Sequence, residues 1–368
     1  MPFQYIGFQR LPPSSLSPSQ SLQVAPLIAN DLRDEVFLPE DGEDGVELKL
    51  AWVMEKHDAA QGREGFVVVK TEQSVQWIGP DSAYRKVDIA CPSVKELKKA
   101  VQSATLKDAA LRLAMWVEVI EPPPKSHKRA KKSPQETNAG QDVSSCLLIR
   151  PTEAVRRSQA GETVFLPVLT PPIKTTGPGS ASLSMSPAKL THVSRLWAYD
   201  SNEDEGQGCF AAIEIEEEIG FELDKHIWDA SIPLLSLLMA PPDSKSSSSV
   251  DSDASIIPHG PSRVIVELGA GTGMLSIGLA HSSTPFSRLF ASDLAPALEL
   301  IESNKARNGL TGHGPEVIEL DWFAEQLPAS LCEALEGEDS KSSRSRPPLL
   351  VLAAKGFHGN PFKEAPSC

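Results

Sequence analysis

VIVELGAGTGMLSIGLA, residues Val264–Ala280, decides the fold. Its first five residues are apolar apart from Glu267, three of them β-branched, as suits a strand buried on both faces. Glycines then fall at every second position, Gly269, Gly271 and Gly273, and an apolar helix-like run starts at Met274. The next stretches repeat the alternation. SRLFASD (Ser287–Asp293) reads as a strand, PALELIESNKARNG (Pro296–Gly309) as a helix and PEVIEL (Pro315–Leu320) as a strand. A proline suits a first helical turn, and Asn-Gly is a good stop. Alternation of this kind predicts a parallel sheet with helices on its faces.

A turn between a first strand and a helix, at the carboxyl edge of such a sheet, is where ligands sit. Three ligands compete for it. A triphosphate loop needs GxxxxGK[ST], and no lysine follows these glycines. A dinucleotide turn needs GxGxxG; Gly269 and Gly271 fit, but position 274 is methionine, which holds back a nicotinamide oxidoreductase. The pattern E-x-G-x-G-x-G suits S-adenosylmethionine, whose amino-acid end must approach the turn backbone without side chains in the way. Glu267 closes the strand where an acid helps hold the positively charged methionine end. Asp293 ends the second strand, 24 residues beyond Gly269, where a carboxylate can accept ribose hydroxyls. The same acid occurs in dinucleotide folds, so it supports the fold more than the ligand. A tight strand–helix turn with no ligand is the plain alternative.

Two tryptophans narrow the choice. ELDWFAEQL (Glu319–Leu327) follows the third strand, so Trp322 is placed to flank an adenine ring and Asp321 to meet its amino group. HIWDAS (His226–Ser231) puts Trp228 and Asp229 at the start of a helix before the first strand. Either tryptophan alone is more often core; beside the glycine turn the balance reverses.

Together IWDAS, ELGAGTGMLSIGLA, SDLAPALELIESNKARNG and LDW resemble the class I, seven-strand methyltransferases, most of all the branch that modifies protein lysines. The resemblance covers about residues 191–354. It implies a Rossmann-like, doubly wound parallel sheet, S-adenosylmethionine as cofactor and a protein lysine side chain as substrate. It also implies cofactor contacts at Trp228, Gly269, Ala270, Gly271, Asp293, Trp322 and Ala354, to which the reading of the residues above adds Glu267 and Asp321.

The tail departs from that pattern. PPLLVLAAKGFHGNPFKEAPSC (Pro347–Cys368) starts as a fourth strand. The family runs from there into A-D-x-x-Y; here Lys355 stands in the acid's place and His358 in the tyrosine's. A lysine there would repel the substrate ammonium that an acid attracts. The expectation is a sheet truncated after about its fourth strand, with that strand as an exposed edge. A truncated or inactive form of the enzyme follows, with a non-catalytic methyltransferase-fold binding module as the alternative.

The remaining text sets the surroundings. The chain has 368 residues and a formal net charge of −14, which argues against general nucleic-acid binding. Five scattered cysteines form no CxxC pair, so neither a zinc site nor a disulfide framework is expected. No apolar run reaches the roughly 20 residues of a membrane span, and no secretory leader is expected at MPFQYIGFQR. Residues 1–120 read as an α+β region of unknown role, with GVELKLAWVM (Gly45–Met54) and EGFVVVKT (Glu64–Thr71) as strands. Apolar residues at helical spacing fill the middle of Ser93–Ile120. Residues 121–190 read as a Pro/Ser/Lys-rich disordered linker. Residues 191–240 read as the first strands and the Trp-containing helix of the methyltransferase domain, 241–260 as a Ser-rich loop and 261–368 as its core. Lys125–Lys132, KSHKRAKK, has the character of a nuclear-localisation run, so cytoplasm and also nucleus are expected. The acidic DSNEDEGQG (Asp200–Gly208) favours a basic protein segment as partner.

Overall fold

The computed structural model describes residues 3–17, 21–40, 45–58, 63–101, 111–118, 142–175, 189–200, 210–220, 225–239, 263–282, 285–336 and 349–353. The chain divides into two compact units, residues 1–150 with 156–221, and residues 151–155 with 222–368.

The second unit holds the glycine turn. Its elements are α1 (Ser231–Met239), β1 (Val264–Leu268), α2 (Met274–His281), β2 (Arg288–Asp293), α3 (Ala295–Arg307), β3 (Glu316–Glu319), α4 (Ala329–Glu336) and β4 (Leu349–Leu352). The four strands form one sheet in the order β3-β2-β1-β4, and every pairing is parallel. Both faces of β1 are covered, which is why it reads as a nearly continuous apolar run. Val264, Val266, Phe290 and Ile318 pack on Leu331 and Ala334 of α4. On the other face Ala291 and Val317 pack on Leu298 and Ile301 of α3. Leu268 lies opposite Ser292, and Asp293 opposite Glu319, so the carboxyl ends of β1, β2 and β3 are level. Helix α3 ends as its sequence requires: Gly309 takes a φ of +72°, the left-handed stop that glycine adopts at least cost. Helix α4 has no counterpart in the sequence reading.

The first unit is built mainly of β-structure. One sheet runs Val87–Ala90, Ser21–Ala29, Phe3–Arg10, Val164–Leu166. A larger one runs Phe210–Glu218, His192–Asp200, Val168–Leu169, Leu111–Val117, Val46–Asp58, Arg63–Trp77, with Leu148–Ile149 beside His192–Asp200. The large aliphatic and aromatic side chains of these strands, Trp52 and Trp77 among them, make its main core. Their indole N–H groups donate to Ala90 O and Phe37 O, at 3.0 and 3.1 Å, because a buried donor left unpaired is costly. Arg195 is fully buried in this unit. Its guanidinium donates to Glu217 Oε1 at 2.8 Å, to Leu166 O and Pro167 O at 2.8 Å each, and to Ile6 O at 2.9 Å.

Two sequence expectations differ from this architecture. Of residues 93–120, expected to show helical spacing over their middle, the described ones form a helix over Val94–Val101, while Leu111–Val117 is a strand buried almost throughout. A strand covered on both faces shows no alternation, so its apolar spacing imitates a helix. Residues 142–175, read as linker, contain helices Ser144–Leu147 and Pro151–Gln159 and four short strands. Strands of two or three residues are too short to show a period. The strands 192–200 and 210–218 pair with each other along their length and lie in the larger sheet of the first unit. Lys125–Lys132, the loop 241–260, Ala354, Lys355 and His358 lie outside the described residues.

Candidate functional site

The site begins with backbone. Gly269, Gly271 and Gly273 have φ of +63°, +58° and +75°, all in the left-handed region that L side chains rarely enter. Three such residues in alternation curl the chain tightly from the end of β1 into α2. Gly273 has a second reason to lack a side chain, since a Cβ there would stand 2.9 Å from Ile301 Cγ2 of α3. Ala270 is buried between the glycines; its N–H donates to Ser292 O at 2.9 Å and its carbonyl accepts from Gly273 N at 2.8 Å. The turn is thereby stitched to β2 and to itself.

Two buried carboxylates flank it. Asp293, at the end of β2, accepts from Gly271 N through Oδ2 at 2.7 Å and from Leu294 N through Oδ1 at 2.8 Å. Each carboxylate oxygen keeps a further lone pair for a ligand hydroxyl. Glu267, at the end of β1, accepts from the Ser276 amide at 2.9 Å and from the Ser276 hydroxyl on the same oxygen. Burial pushes the Glu267 carboxyl up to about 7, and the Asp293 charge adds to the rise, while the two bonds from Ser276 oppose it. Ser276 was not singled out in the sequence. Its signal is position: a small hydroxyl in the first turn of α2, where amides point back at the preceding strand end.

The remaining expected residues fall as follows. The carbonyl of Trp228 accepts from the Ser231 amide and hydroxyl at the start of α1, and its side chain is half-buried. Ser231 also lies 3.9 Å from Met274 Sδ at the start of α2, which brings the Trp228 segment to the helix that follows the glycine turn. Leu320 N donates to Asp293 O at 3.0 Å, so the loop after β3 leaves from beside the Asp293 strand end. In that loop Asp321 is exposed and its Oδ1 accepts from Phe323 N at 2.9 Å. Trp322 is 43% exposed and Phe323 88% exposed. The structure therefore brings Glu267, Ala270, Gly271 and Asp293 into one buried cluster beside the partly exposed Gly269, with Asp321 and Trp322 on the adjoining strand end.

The cluster suits S-adenosylmethionine on its own chemistry. A backbone turn free of side chains admits a close approach, and two buried carboxylates complement positive charge and hydroxyl donors. Among the described residues no group of His, Cys, Asp and Glu is arranged to hold a metal ion, and no helix is long and apolar enough to cross a membrane.

Residues 210–336 match the family model described as lysine methyltransferase. The match starts at strand Phe210–Glu218 and runs to the end of α4, so it contains the glycine turn, both carboxylates and the Asp321–Trp322 pair. No curated protein matches the chain.

Proposed function

We propose that this chain, whose residues 210–336 carry a lysine methyltransferase domain, is an S-adenosylmethionine-dependent protein-lysine N-methyltransferase. The observation that carries the reading is the row of three left-handed glycines with Asp293 bonded to the middle one. Within the proposal, the cofactor's amino-acid end lies against Gly269–Gly271 with Glu267 as counter-charge. Asp293 accepts from its ribose, and Asp321 and Trp322 meet its adenine. Trp228 and Ala354 complete the contacts expected from the family.

When bound, S-adenosylmethionine supplies a methyl group activated by the positive sulfur. The chemistry is one displacement: the lysine nitrogen forms the N–C bond as the S–C bond breaks, and the electron pair stays on sulfur. The amine must enter neutral, so its proton leaves to solvent or a nearby base first. What the chain's residues contribute is alignment of donor and acceptor and exclusion of water. The acidic stretch Asp200–Gly208 favours a basic protein segment as substrate, and the basic run Lys125–Lys132 fits entry to the nucleus as well as residence in the cytoplasm.

The test is calorimetric titration of S-adenosylmethionine into the purified chain beside Asp293→Ala. Saturable binding in the first and none in the second supports the reading. Equal binding by both, or no binding by the unsubstituted chain, sinks it.

A second reading rests on Lys355, in the position where the family it resembles carries an acid. It makes the chain an inactive form, or a binding module that holds cofactor without turnover. Lys355→Asp separates the readings. A gain of methyl transfer to a lysine-containing protein, with cofactor affinity unchanged, would identify an inactive chain with an intact cofactor site.

A further inference from the structure

The glycine turn is held from outside as well as by its own bonds. Asn304 lies in the last full turn of α3 and is completely buried. Asparagine is a poor helix former, and a buried amide is costly unless its hydrogen bonds are made. Its side-chain Nδ2 donates to Thr272 O at 2.9 Å, 32 residues back in sequence. Thr272 is itself buried and stands between Gly271 and Gly273. Ile301, one helical turn before Asn304, is the residue whose Cγ2 closes the space beside Gly273. The same face of α3 therefore touches the turn twice, once through packing and once through a hydrogen bond.

The bond falls on a peptide plane that needs fixing. The Thr272–Gly273 peptide carries its carbonyl toward Asn304, while its N–H donates to Ala270 O at 2.8 Å. A peptide that precedes a left-handed glycine can rotate into other wells at low cost, because glycine populates positive and negative φ alike. Both ends of this plane are tied, one inside the turn and one to α3.

We infer that Asn304 is a positioning residue for the cofactor turn: its amide fixes the Thr272–Gly273 peptide and so keeps the turn preorganised for S-adenosylmethionine. The inference rests on the reading under Proposed function. It assigns Asn304 no contact with cofactor or substrate.

The test uses the full chain with two readouts. The first is the amide spectrum of ¹⁵N-glycine-labelled protein without ligand. The second is calorimetric affinity for S-adenosylhomocysteine, well below the melting temperature. Asn304→Leu removes the donor while keeping the branched skeleton of the side chain. Asn304→Ser is smaller, so no steric clash can unfold it. Asn308→Ala is the control, because Asn308 Nδ2 bonds the Asn304 backbone carbonyl at 2.7 Å and so loosens the same helix end without touching the turn. Both Asn304 variants are expected to shift the Gly271 and Gly273 amides and to bind about tenfold more weakly, the loss of one buried hydrogen bond. The control is expected to melt earlier and bind as the unsubstituted chain does. Unmoved glycine amides with full affinity in the Asn304 variants would overturn the inference. An equal loss in Asn308→Ala would also overturn it, by reducing Asn304 to general helix stability. Absence of binding by the unsubstituted chain would instead remove the methyltransferase reading on which the inference stands.

Discussion

Glu267 is enclosed by protein, bonded by Ser276 and repelled by Asp293, and its carboxyl titrates near 7 rather than in the usual range of about 4.3. The folded chain therefore holds a proton here that the unfolded chain has already lost. Stability from this group is fully present below the unfolded value, falls as pH rises and is gone once pH has passed about 7. Affinity for a cationic ligand runs the other way, because only the ionised form attracts it. S-adenosylmethionine is expected to bind more tightly at pH 8 than at pH 6, with proton release detectable as a buffer-dependent binding enthalpy. Glu267→Gln is expected to flatten that dependence; an unchanged pH profile would show that another group sets it. Gly273→Ala makes a backbone prediction at the same scale. Left-handed strain of about 1–2 kcal/mol adds to a Cβ 2.9 Å from Ile301. Both the melting temperature and cofactor affinity are expected to fall.

Among the elements, α3 shows what the sequence made readable. Its start near Pro296 and its stop at Asn308-Gly309 follow from backbone rules, and the helix spans Ala295–Arg307. Gly309→Ala isolates the stop, since a Cβ at that position meets nothing within 4 Å. Only the left-handed φ is penalised, so a loss of about 1 kcal/mol in chemical denaturation, with cofactor affinity unchanged, is expected. The parallel strands were equally legible, because β1 and β2 are apolar runs bounded by turn glycine and acid. Leu111–Val117 was not, for the same reason in reverse: it is buried on both faces without such boundaries. In the site, glycines and strand-end acids announced themselves by spacing. Ser276 and Asn304 did not, because their roles depend on which helix turn meets β1 or the glycine turn, and that is a matter of packing rather than of local pattern.

At the scale of the whole molecule, the first unit depends on a charge inside its core. Arg195 ties Ile6, Leu166, Pro167 and Glu217 together. Removing the cation alone leaves Glu217 buried, with Arg33 at 3.8 Å. Arg195→Met is expected to cost about 3–5 kcal/mol in denaturant unfolding, and Arg195→Met with Glu217→Leu to recover much of it. A double variant as unstable as the single one would mean that the backbone carbonyls, not the ion pair, are what the guanidinium serves.

The strand order β3-β2-β1-β4 also has a consequence for synthesis on the ribosome. Every residue that shapes the glycine turn, from Val264 to Asn304, is translated before Leu349–Leu352, the strand that completes the other side of β1. The local β1-α2-β2-α3 contacts close short loops and form early, whereas the β1–β4 pairing closes a loop of some eighty residues. A nascent chain can thus assemble its glycine turn while one flank of β1 still waits for its neighbour, and under the proposed function cofactor present during translation is expected to act as a folding template. Pulsed hydrogen exchange would record this as protection of Val264–Leu268 facing β2 ahead of protection in β4.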